Sequence, residues 1–287
     1  MNKKLSKTMI RILGLFCVLM VVGMMTGCSA PIKETSYEYK FPAWTHDGKI
    51  LAIKRTIVTW RSGGGYDGTN EYDLVVFNDD GSNERKITTV PSDAGFISCS
   101  TSGNYIGYAV DNYIRVIDWA GNVSFNISTG RDSVSQRFDW SPNEKSIVYH
   151  NIAPLYVYNT VSATSIYIAN NSAYASWKYN NNFVFEKYPM LVFSDKDGNI
   201  TSTNFNIDNY IYPQYVNDQN KVTFFDNKGK IFFYDINTTL LTSANIGLLN
   251  AESYISVNSA VTKITYGKSD KYIHVLNIDG SNNKQIK

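Results

Sequence analysis

The chain has few of the residues that build catalytic, metal or disulfide sites. Its 287 residues include three cysteines and three histidines. The histidines, His46, His150 and His274, are far apart in sequence and show no His-x-x-x-His or similar metal-ligand spacing. There is no Gly-x-Ser-x-Gly segment of the kind that presents a nucleophilic serine. The sequence therefore predicts no metal, no cofactor and no catalytic residue, and we expect the three histidines not to act together.

Charge and helical patterns are equally sparse. Charged residues make up 18% of the chain and the formal net charge is +2. Residues 1–27 hold four basic residues and no acidic one, so the remainder carries 2 − 4 = −2. Such a near-neutral surface predicts no nucleic-acid partner, which would require a basic patch. No long amphipathic helical pattern with caps follows residue 28, so we expect an all-β chain.

What the chain does have is a repeat of about 40 residues. An apolar run followed by a tight polar turn occurs six times, starting at Phe77, Ile117, Val157, Phe193, Phe233 and Leu276. A second landmark, a short strand that ends in a polar turn, recurs in the same order at Trp44, Cys99, Trp140, Trp177, Tyr215 and Val257. Strand-and-turn units at this period are typical of a β-propeller with one four-stranded blade per repeat. We predict six antiparallel blades, spanning residues 41–287.

The repeat also resembles a known family. Pro42-Ala-Trp-Thr-His-Asp-Gly48, Phe138-Asp-Trp-Ser-Pro-Asn143 and Asn277-Ile-Asp-Gly-Ser-Asn282 are similar to the Trp-Ser-Pro-Asp-Gly and Asn-x-Asp-Gly-Ser turns of TolB-like propellers, a WD40-like repeat class. The resemblance covers roughly residues 41–287 and is strongest in blades one, three and six. It implies the fold but no catalytic residue, because these motifs are structural.

The N-terminus predicts secretion and lipidation. A basic segment precedes an apolar run from Ile12 to Met25, which has signal-peptide length and is too short to span a bilayer. The run ends in Met25-Thr-Gly-Cys28, which resembles a bacterial lipobox. We therefore expect a signal peptide over residues 1–27 and acylation of Cys28. Of the other cysteines, Cys17 leaves with the signal, so Cys99 has no disulfide partner.

Lipidation would fix where the protein resides. An acylated Cys28 anchors the chain to a membrane on its extracytoplasmic side. That membrane is the outer membrane in a diderm cell and the outer face of the plasma membrane in a monoderm cell. Residues 28–40 form a linker in which Tyr37-Glu-Tyr-Lys-Phe41 alternates like a strand. Because a ring of blades must close, we expect residues near 35 to 40 to pair in the last blade, completing or replacing its outer strand.

Blade one carries an insertion of about 14 residues, from Thr59 to Tyr72, between its second and third strands. Glycine-rich extensions of this kind are often functional, although a plain surface hairpin is the alternative. The predicted contact residues on this face are Trp60, Arg61, Tyr66, Asp67, Arg131, Asp132 and Tyr210. Trp, Tyr and Arg are the residue types that dominate binding surfaces.

These observations predict a monomeric, lipid-anchored binding protein of the cell envelope with a protein or glycan partner. Two alternatives remain open. One is a glycan- or peptide-active envelope enzyme with its site at the propeller channel, which needs convergent carboxylates or histidines there. The other is a scaffold of an envelope complex with no pocket.

Overall fold

The computed structural model describes residues 32–287 except 63–64, 131–136, 151–153, 171, 178–181, 188–189, 207–209, 217–220, 227–229, 246–250 and 269. In these residues 24 strands form six four-stranded sheets, and within each sheet the strands follow chain order. Neighbouring strands are antiparallel. The prediction of an all-β, six-bladed propeller with four-stranded antiparallel blades is confirmed. None of the described residues forms a helix with the length and apolarity needed to cross a membrane.

The bounds of the strands follow the two sequence landmarks. Blade one contains β1 (Ile32–Trp44), β2 (Ile50–Ser62), β3 (Gly65–Phe77) and β4 (Arg85–Thr89). Blade two contains β5 (Ile97–Cys99), β6 (Ile106–Val110), β7 (Tyr113–Ile117) and β8 (Val123–Ser128). Blade three contains β9 (Phe138–Trp140), β10 (Ser146–His150), β11 (Leu155–Asn159) and β12 (Thr164–Ala169). Blade four contains β13 (Ala173–Trp177), β14 (Asn182–Lys187), β15 (Met190–Asp195) and β16 (Ile200–Asn206). Blade five contains β17 (Tyr210–Val216), β18 (Lys221–Asp226), β19 (Lys230–Asp235) and β20 (Leu241–Asn245). Blade six contains β21 (Ala251–Val257), β22 (Lys263–Lys268), β23 (Ile273–Asn277) and β24 (Lys284–Gln285).

The chain divides into two compact units, and three strands contribute to both. The propeller unit comprises residues 37–55 and 71–287. The second unit comprises residues 1–36 and 56–70. Its described residues, 32–36, 56–62 and 65–70, are all strand, and we call them the hairpin unit. The blade-one insertion is therefore built by lengthening β2 and β3.

The core of the propeller unit lies between consecutive blades. Second strands such as β6 and β10 are buried along their whole length, whereas the fourth strand β12 is mostly exposed. Each of six apolar clusters joins residues of two neighbouring blades, including the pair formed by the last blade and the first. Burial of apolar surface, at roughly 25 cal/mol per Å², thus stabilises the contacts between neighbouring blades.

Close packing between blades also explains one glycine inside a strand. A Cβ atom at Gly107 in β6 would lie 2.6 Å from Cε2 of Phe138 in the next blade. The Phe138 ring is buried in the cluster between blades two and three and meets Phe96 edge-on. Glycine is therefore required at position 107 because the neighbouring aromatic ring occupies the space of a side chain.

The ring closes differently from the prediction. Residues 35–40 belong to β1, the first strand of blade one, and β24 near the chain end supplies the fourth strand of blade six. The expectation that residues 35–40 pair in the last blade is therefore wrong, because Tyr37–Lys40 continues without a break into Trp44. The two blades are joined by a hydrogen bond from the Tyr39 amide to the Lys271 carbonyl at 2.9 Å.

Side-chain ion pairs strengthen the same junction. Buried Glu38 in β1 accepts a hydrogen bond from Nζ of Lys271 at 2.5 Å. Glu84 in blade one pairs with Lys287 at the end of the last blade, with 2.9 Å between Oε2 and Nζ. The Tyr39 hydroxyl donates to the same Glu84 oxygen at 2.8 Å. Closure therefore combines apolar packing with a partly buried polar network.

Candidate functional site

The first strands of the six blades line a central channel in the propeller unit. The cavity has a volume of about 240 Å³. Its walls come from segments at or next to β1, β5, β9, β13, β17 and β21, so every blade contributes. A cavity lined by one strand from each repeat follows from the radial order of the sheets, in which the first strand lies innermost.

One position in each first strand forms a ring around this channel. In each blade it is the residue immediately before the second of the two sequence landmarks, and we call these six residues the channel ring. Its members, which all line the cavity, are Ala43, Ser98, Asp139, Ser176, Gln214 and Ser256. Five of the six side chains are polar, whereas the residues that follow them are mostly buried aromatics. The alternation of a strand explains this difference, because successive side chains point to opposite faces.

The channel ring joins blades by a repeated hydrogen bond. In four successive blade pairs, the amide of the landmark residue in the next blade donates to a ring side chain. The bonds run from Trp177 to Asp139 Oδ2 (2.9 Å), Tyr215 to Ser176 Oγ (3.0 Å), Val257 to Gln214 Oε1 (2.9 Å) and Trp44 to Ser256 Oγ (3.4 Å). The last of these crosses from blade six to blade one. Ala43 has no side-chain acceptor, so blade one cannot form this bond with blade two.

Asp139 is the one carboxylate in the channel ring, and both of its oxygens accept hydrogen bonds. Oδ1 accepts from the Trp140 amide at 2.9 Å, and Oδ2 accepts from Ser176 Oγ at 2.9 Å as well as from the Trp177 amide. Burial raises the pKa of Asp139 to about 6, because the hydrogen bonds only partly offset the loss of solvation. Protein surrounds the carboxyl group, although part of the residue's surface stays accessible from the channel.

An arginine and two aromatic rings lie at one end of the channel. The guanidinium of Arg137, the residue before β9, lies 4.7 Å from the ring centre of Tyr174 and 5.5 Å from that of Phe96. All three line the cavity. Tyr174 sits at a β-bulge between Ala173 and Ala175 and has a positive φ of 45°. Non-glycine residues rarely adopt this conformation, and strain of this kind concentrates at functional sites.

His150 contacts both Tyr174 and Arg137. Its ring meets that of Tyr174 edge-on at 6.0 Å, and its amide donates to the Arg137 carbonyl at 3.3 Å. Burial, together with the positive charge of Arg137, lowers the pKa of His150 to about 4. The imidazole is therefore neutral at pH 7. Its Nδ1 atom is buried and has no hydrogen-bond partner among the described residues.

The three histidines lie in different surroundings. His46 is exposed in the turn after β1, and His150 is buried beside Tyr174. His274 in β23 pairs with Asp270, with 2.9 Å between Nε2 and Oδ2. The described part of the chain contains no group of three His, Cys, Asp or Glu side chains able to hold a metal. That these histidines do not act together stays a prediction.

Cys99 also lines the channel but is a poor nucleophile. Burial raises the pKa of its thiol to about 11, so the thiolate is scarce at pH 7. It is the one cysteine among the described residues and it is free.

The grouping of the predicted contact residues stays a prediction, because the side chain of Trp60 alone among them is described. Trp60 lies in β2 of the hairpin unit and is partly exposed. Arg61 is also in β2, Tyr66 and Asp67 are in β3, and Tyr210 begins β17, but the side chains of these four lie outside the description. Arg131, Asp132, residues 1–27 and Cys28 lie wholly outside the described residues.

Sequence reasoning missed the channel residues. The one signal for Asp139 was an acidic residue at a position where the other repeats have Ala, Ser or Gln. Arg137, Phe96 and Tyr174 lie just before or at the start of a first strand, but their spacing in sequence differs from blade to blade.

Comparisons with known proteins support the architecture alone. No protein-family model matches the sequence, and no curated protein matches it. Among solved structures, a protein from Agrobacterium tumefaciens described as TolB is similar with a TM-score of 0.57 and 14% identity, over 71% of this chain and 84% of that one. The propeller of the tricorn protease is similar with a TM-score of 0.56 and 10% identity, over 91% of this chain and 35% of that one.

A chain in the crystal structure of a mitotic checkpoint complex is also similar, with a TM-score of 0.55 and 10% identity over 86% of this chain and 77% of that one. At these identities the likeness concerns the fold and not the activity. The chain is a six-bladed β-propeller that is structurally similar to the TolB and tricorn protease propellers.

Proposed function

We propose that the protein is a lipid-anchored, extracytoplasmic binding protein that holds a protein or glycan partner at the channel of its propeller. The observation that carries this proposal is the Arg137 group at one end of the channel. A planar guanidinium placed between two aromatic rings suits a partner that offers a carboxylate beside an apolar or sugar-ring face.

The chemistry of the described channel residues favours binding over catalysis. Asp139 is held by three hydrogen bonds, and its partners are a hydroxyl and two amides. A general acid or base needs a substrate proton within hydrogen-bond reach, and a nucleophile needs an activating base. Neutral His150 meets the Tyr174 ring edge-on, and we assign it a supporting role in positioning Tyr174 and Arg137.

Envelope location rests on the N-terminal sequence. The basic segment, the short apolar run and Gly27-Cys28 support export and acylation. In a bacterial host that processes lipoproteins, the mature protein should carry acyl groups on Cys28, and the Cys28→Ser variant should become soluble or remain an unprocessed precursor. Intact-mass measurement of the mature chain tests this, and a mass without acyl groups would refute it.

Partner binding at the channel can be tested by site-specific photocrosslinking in cells. A photoreactive phenylalanine at position 174 should form an adduct with the partner, and Arg137→Ala should abolish that adduct. The matched control places the same photoreactive residue at position 167, where Tyr167 is 55% exposed on the outer strand β12. Adducts from position 167 alone, or adducts that Arg137→Ala leaves unchanged, would contradict the channel as the binding site.

A further inference from the structure

A second set of side chains lies beside the channel ring, towards one end of the channel. In blades one to four it is the residue two positions before the ring member, and we call these four residues the upper tier. Side chains two positions apart along a strand point to the same face, so the upper tier shares the inward face of the ring. Its members, which all line the cavity, are Phe41, Phe96, Arg137 and Tyr174.

Two members of the upper tier have an uncommon backbone conformation. The φ angle is 55° at Phe41 and 45° at Tyr174. A bulky residue rarely adopts a positive φ, and such residues cluster at active sites and ligand clamps. Glycine would fit this backbone better, but it would remove both rings from the wall of the channel. The upper tier thus keeps aromatic side chains at the channel against a local backbone preference.

Arg137 gives the upper tier one positive charge between apolar walls. Its guanidinium lies 4.7 Å from the ring centre of Tyr174 and 5.5 Å from that of Phe96. The planar fork of five N–H donors matches the two oxygens of a carboxylate. The Asp139 carboxyl group, two residues later in the chain, opposes a doubly charged phosphate in the same channel. The charges therefore favour a ligand with a single carboxylate.

The channel ring adds hydroxyl groups next to this charge. The side-chain donors of Ser176 and Gln214 are engaged with protein acceptors at 2.9 and 2.7 Å. Ser98 and Ser256 also belong to the ring and line the cavity, and their hydroxyl protons can be directed into it. A ligand that passes the upper tier therefore meets a polar wall, which suits hydroxyl groups better than an apolar side chain.

The size of the cavity narrows the ligand further. A volume of about 240 Å³ equals that of roughly eight water molecules at about 30 Å³ each, which is room for one sugar residue. A uronic acid residue combines a carboxylate, a C–H ring face and several hydroxyl groups. The C-terminus of a peptide offers the carboxylate and an apolar group, but it would place that apolar group against the polar ring.

We propose that the upper tier and the channel ring bind a single uronic acid residue of an acidic glycan. The carboxylate lies at Arg137, the sugar ring lies against the aromatic walls, and hydroxyl groups meet Ser98 and Ser256. This inference rests on the channel as the binding site of the proposed function, and it narrows the partner of that site to an acidic glycan.

Isothermal titration calorimetry of the full-length protein in detergent tests this class with matched probes. The probes are the methyl glycosides of glucuronic, galacturonic and mannuronic acid, each compared with its neutral parent hexoside. At least one uronate should bind about tenfold or more tightly than its parent, because only the uronate forms charge-assisted hydrogen bonds to a guanidinium. Arg137→Gln should abolish that preference, whereas Ser98→Ala should weaken the uronate and its parent alike.

Arg85→Gln is the matched control. Its guanidinium also lies over an aromatic ring, 6.0 Å from the centre of Trp119, but Arg85 is not among the residues that line the cavity. The preference for the uronate should be unchanged in this variant. A thermal melt shows whether each variant is folded. If Arg137→Gln does not fold, the comparison of each uronate with its parent in the natural protein still decides the question.

The outcomes separate this inference from the proposed function. If none of the three uronates binds more tightly than its parent, the inference is refuted. It is also refuted if an acetylated peptide ending in alanyl-phenylalanine binds more tightly than every uronate, or if a folded Arg137→Gln variant keeps the preference. In those cases a crosslink from position 174 that Arg137→Ala abolishes would still support the channel as the site of a protein partner. Without that crosslink, both proposals fail.

Discussion

Replacing Asp139 with Asn removes a carboxyl group whose ionisation the fold opposes. Burial raises its pKa from 3.8 to about 6. The Asp139 carboxyl group binds its proton more tightly in the folded protein than in the unfolded chain. The contribution of this group to the free energy of unfolding is therefore complete below about pH 4. The contribution is lost as the pH rises through 6. A shift of about 2 units at 1.36 kcal/mol per unit corresponds to roughly 3 kcal/mol, an upper bound since the residue is partly accessible.

Urea unfolding followed by tryptophan fluorescence measures this effect between pH 4 and pH 8. The free energy of unfolding of Asp139→Asn minus that of the natural protein should rise by about 2 to 3 kcal/mol from pH 4 to pH 7. At pH 4 the variant should be no more stable than the natural protein. The side-chain nitrogen of the introduced Asn would face a hydrogen-bond donor at a place where an Asp139 oxygen accepts a hydrogen bond in the natural protein.

Asp80→Asn is the charge-matched control. Hydrogen bonds from the side chain and amide of Ser82 lower the pKa of this exposed carboxyl, so its difference curve should slope in the opposite direction. A difference curve for Asp139→Asn that stays flat, or that falls as the pH rises, would refute the reasoning. It would mean that the folded channel accommodates the ionised carboxylate as well as water does.

Other perturbations test the contacts between blades. Burial alone would raise the pKa of Glu84, but hydrogen bonds from two lysines and a tyrosine lower it to about 2. Glu84→Gln should therefore destabilise the protein by about 1 to 2 kcal/mol at pH 7 and progressively less as the pH falls from 4.5 to 2, measured by urea unfolding. Gln214→Ala removes two hydrogen bonds to blade six, of 2.7 and 2.9 Å, and should cost about 1 to 3 kcal/mol, whereas Ser243→Ala on an exposed strand should be neutral. Gly107→Ala should lower the melting temperature by several degrees, because the new methyl group meets the Phe138 ring; an unchanged melt would show that the ring can move aside.

The sequence alone predicted the number and kind of blades because a blade is built from local contacts. Each hairpin joins residues a few positions apart, so its turn chemistry is visible in the chain. At Asp195, for example, the carboxylate accepts the amides of residues two and four positions later, and Gly198 takes a φ of 88°. A pattern that repeats every 40 residues therefore also repeats in space.

The site could not be predicted in the same way, since its contacts join residues one blade or more apart. The hydrogen bonds that Asp139 Oδ2 accepts come from donors 37 and 38 residues later in the chain, and Arg137 lies between aromatic rings from the neighbouring blades. The insertion was visible in the sequence, but its construction from lengthened strands was not.

Ring closure shows the same limit most plainly. The prediction of a strand at Tyr37–Lys40 is confirmed, although burial does not alternate there, since Glu38 and Tyr39 are both buried and Tyr37 is exposed. The sequence pattern indicates an extended segment but does not report which neighbour covers its side chains. Only the packing of Glu38 and Tyr39 against the last blade, with the hydrogen bond from Tyr39 to Lys271, decides that this segment begins blade one and that the chain end completes blade six.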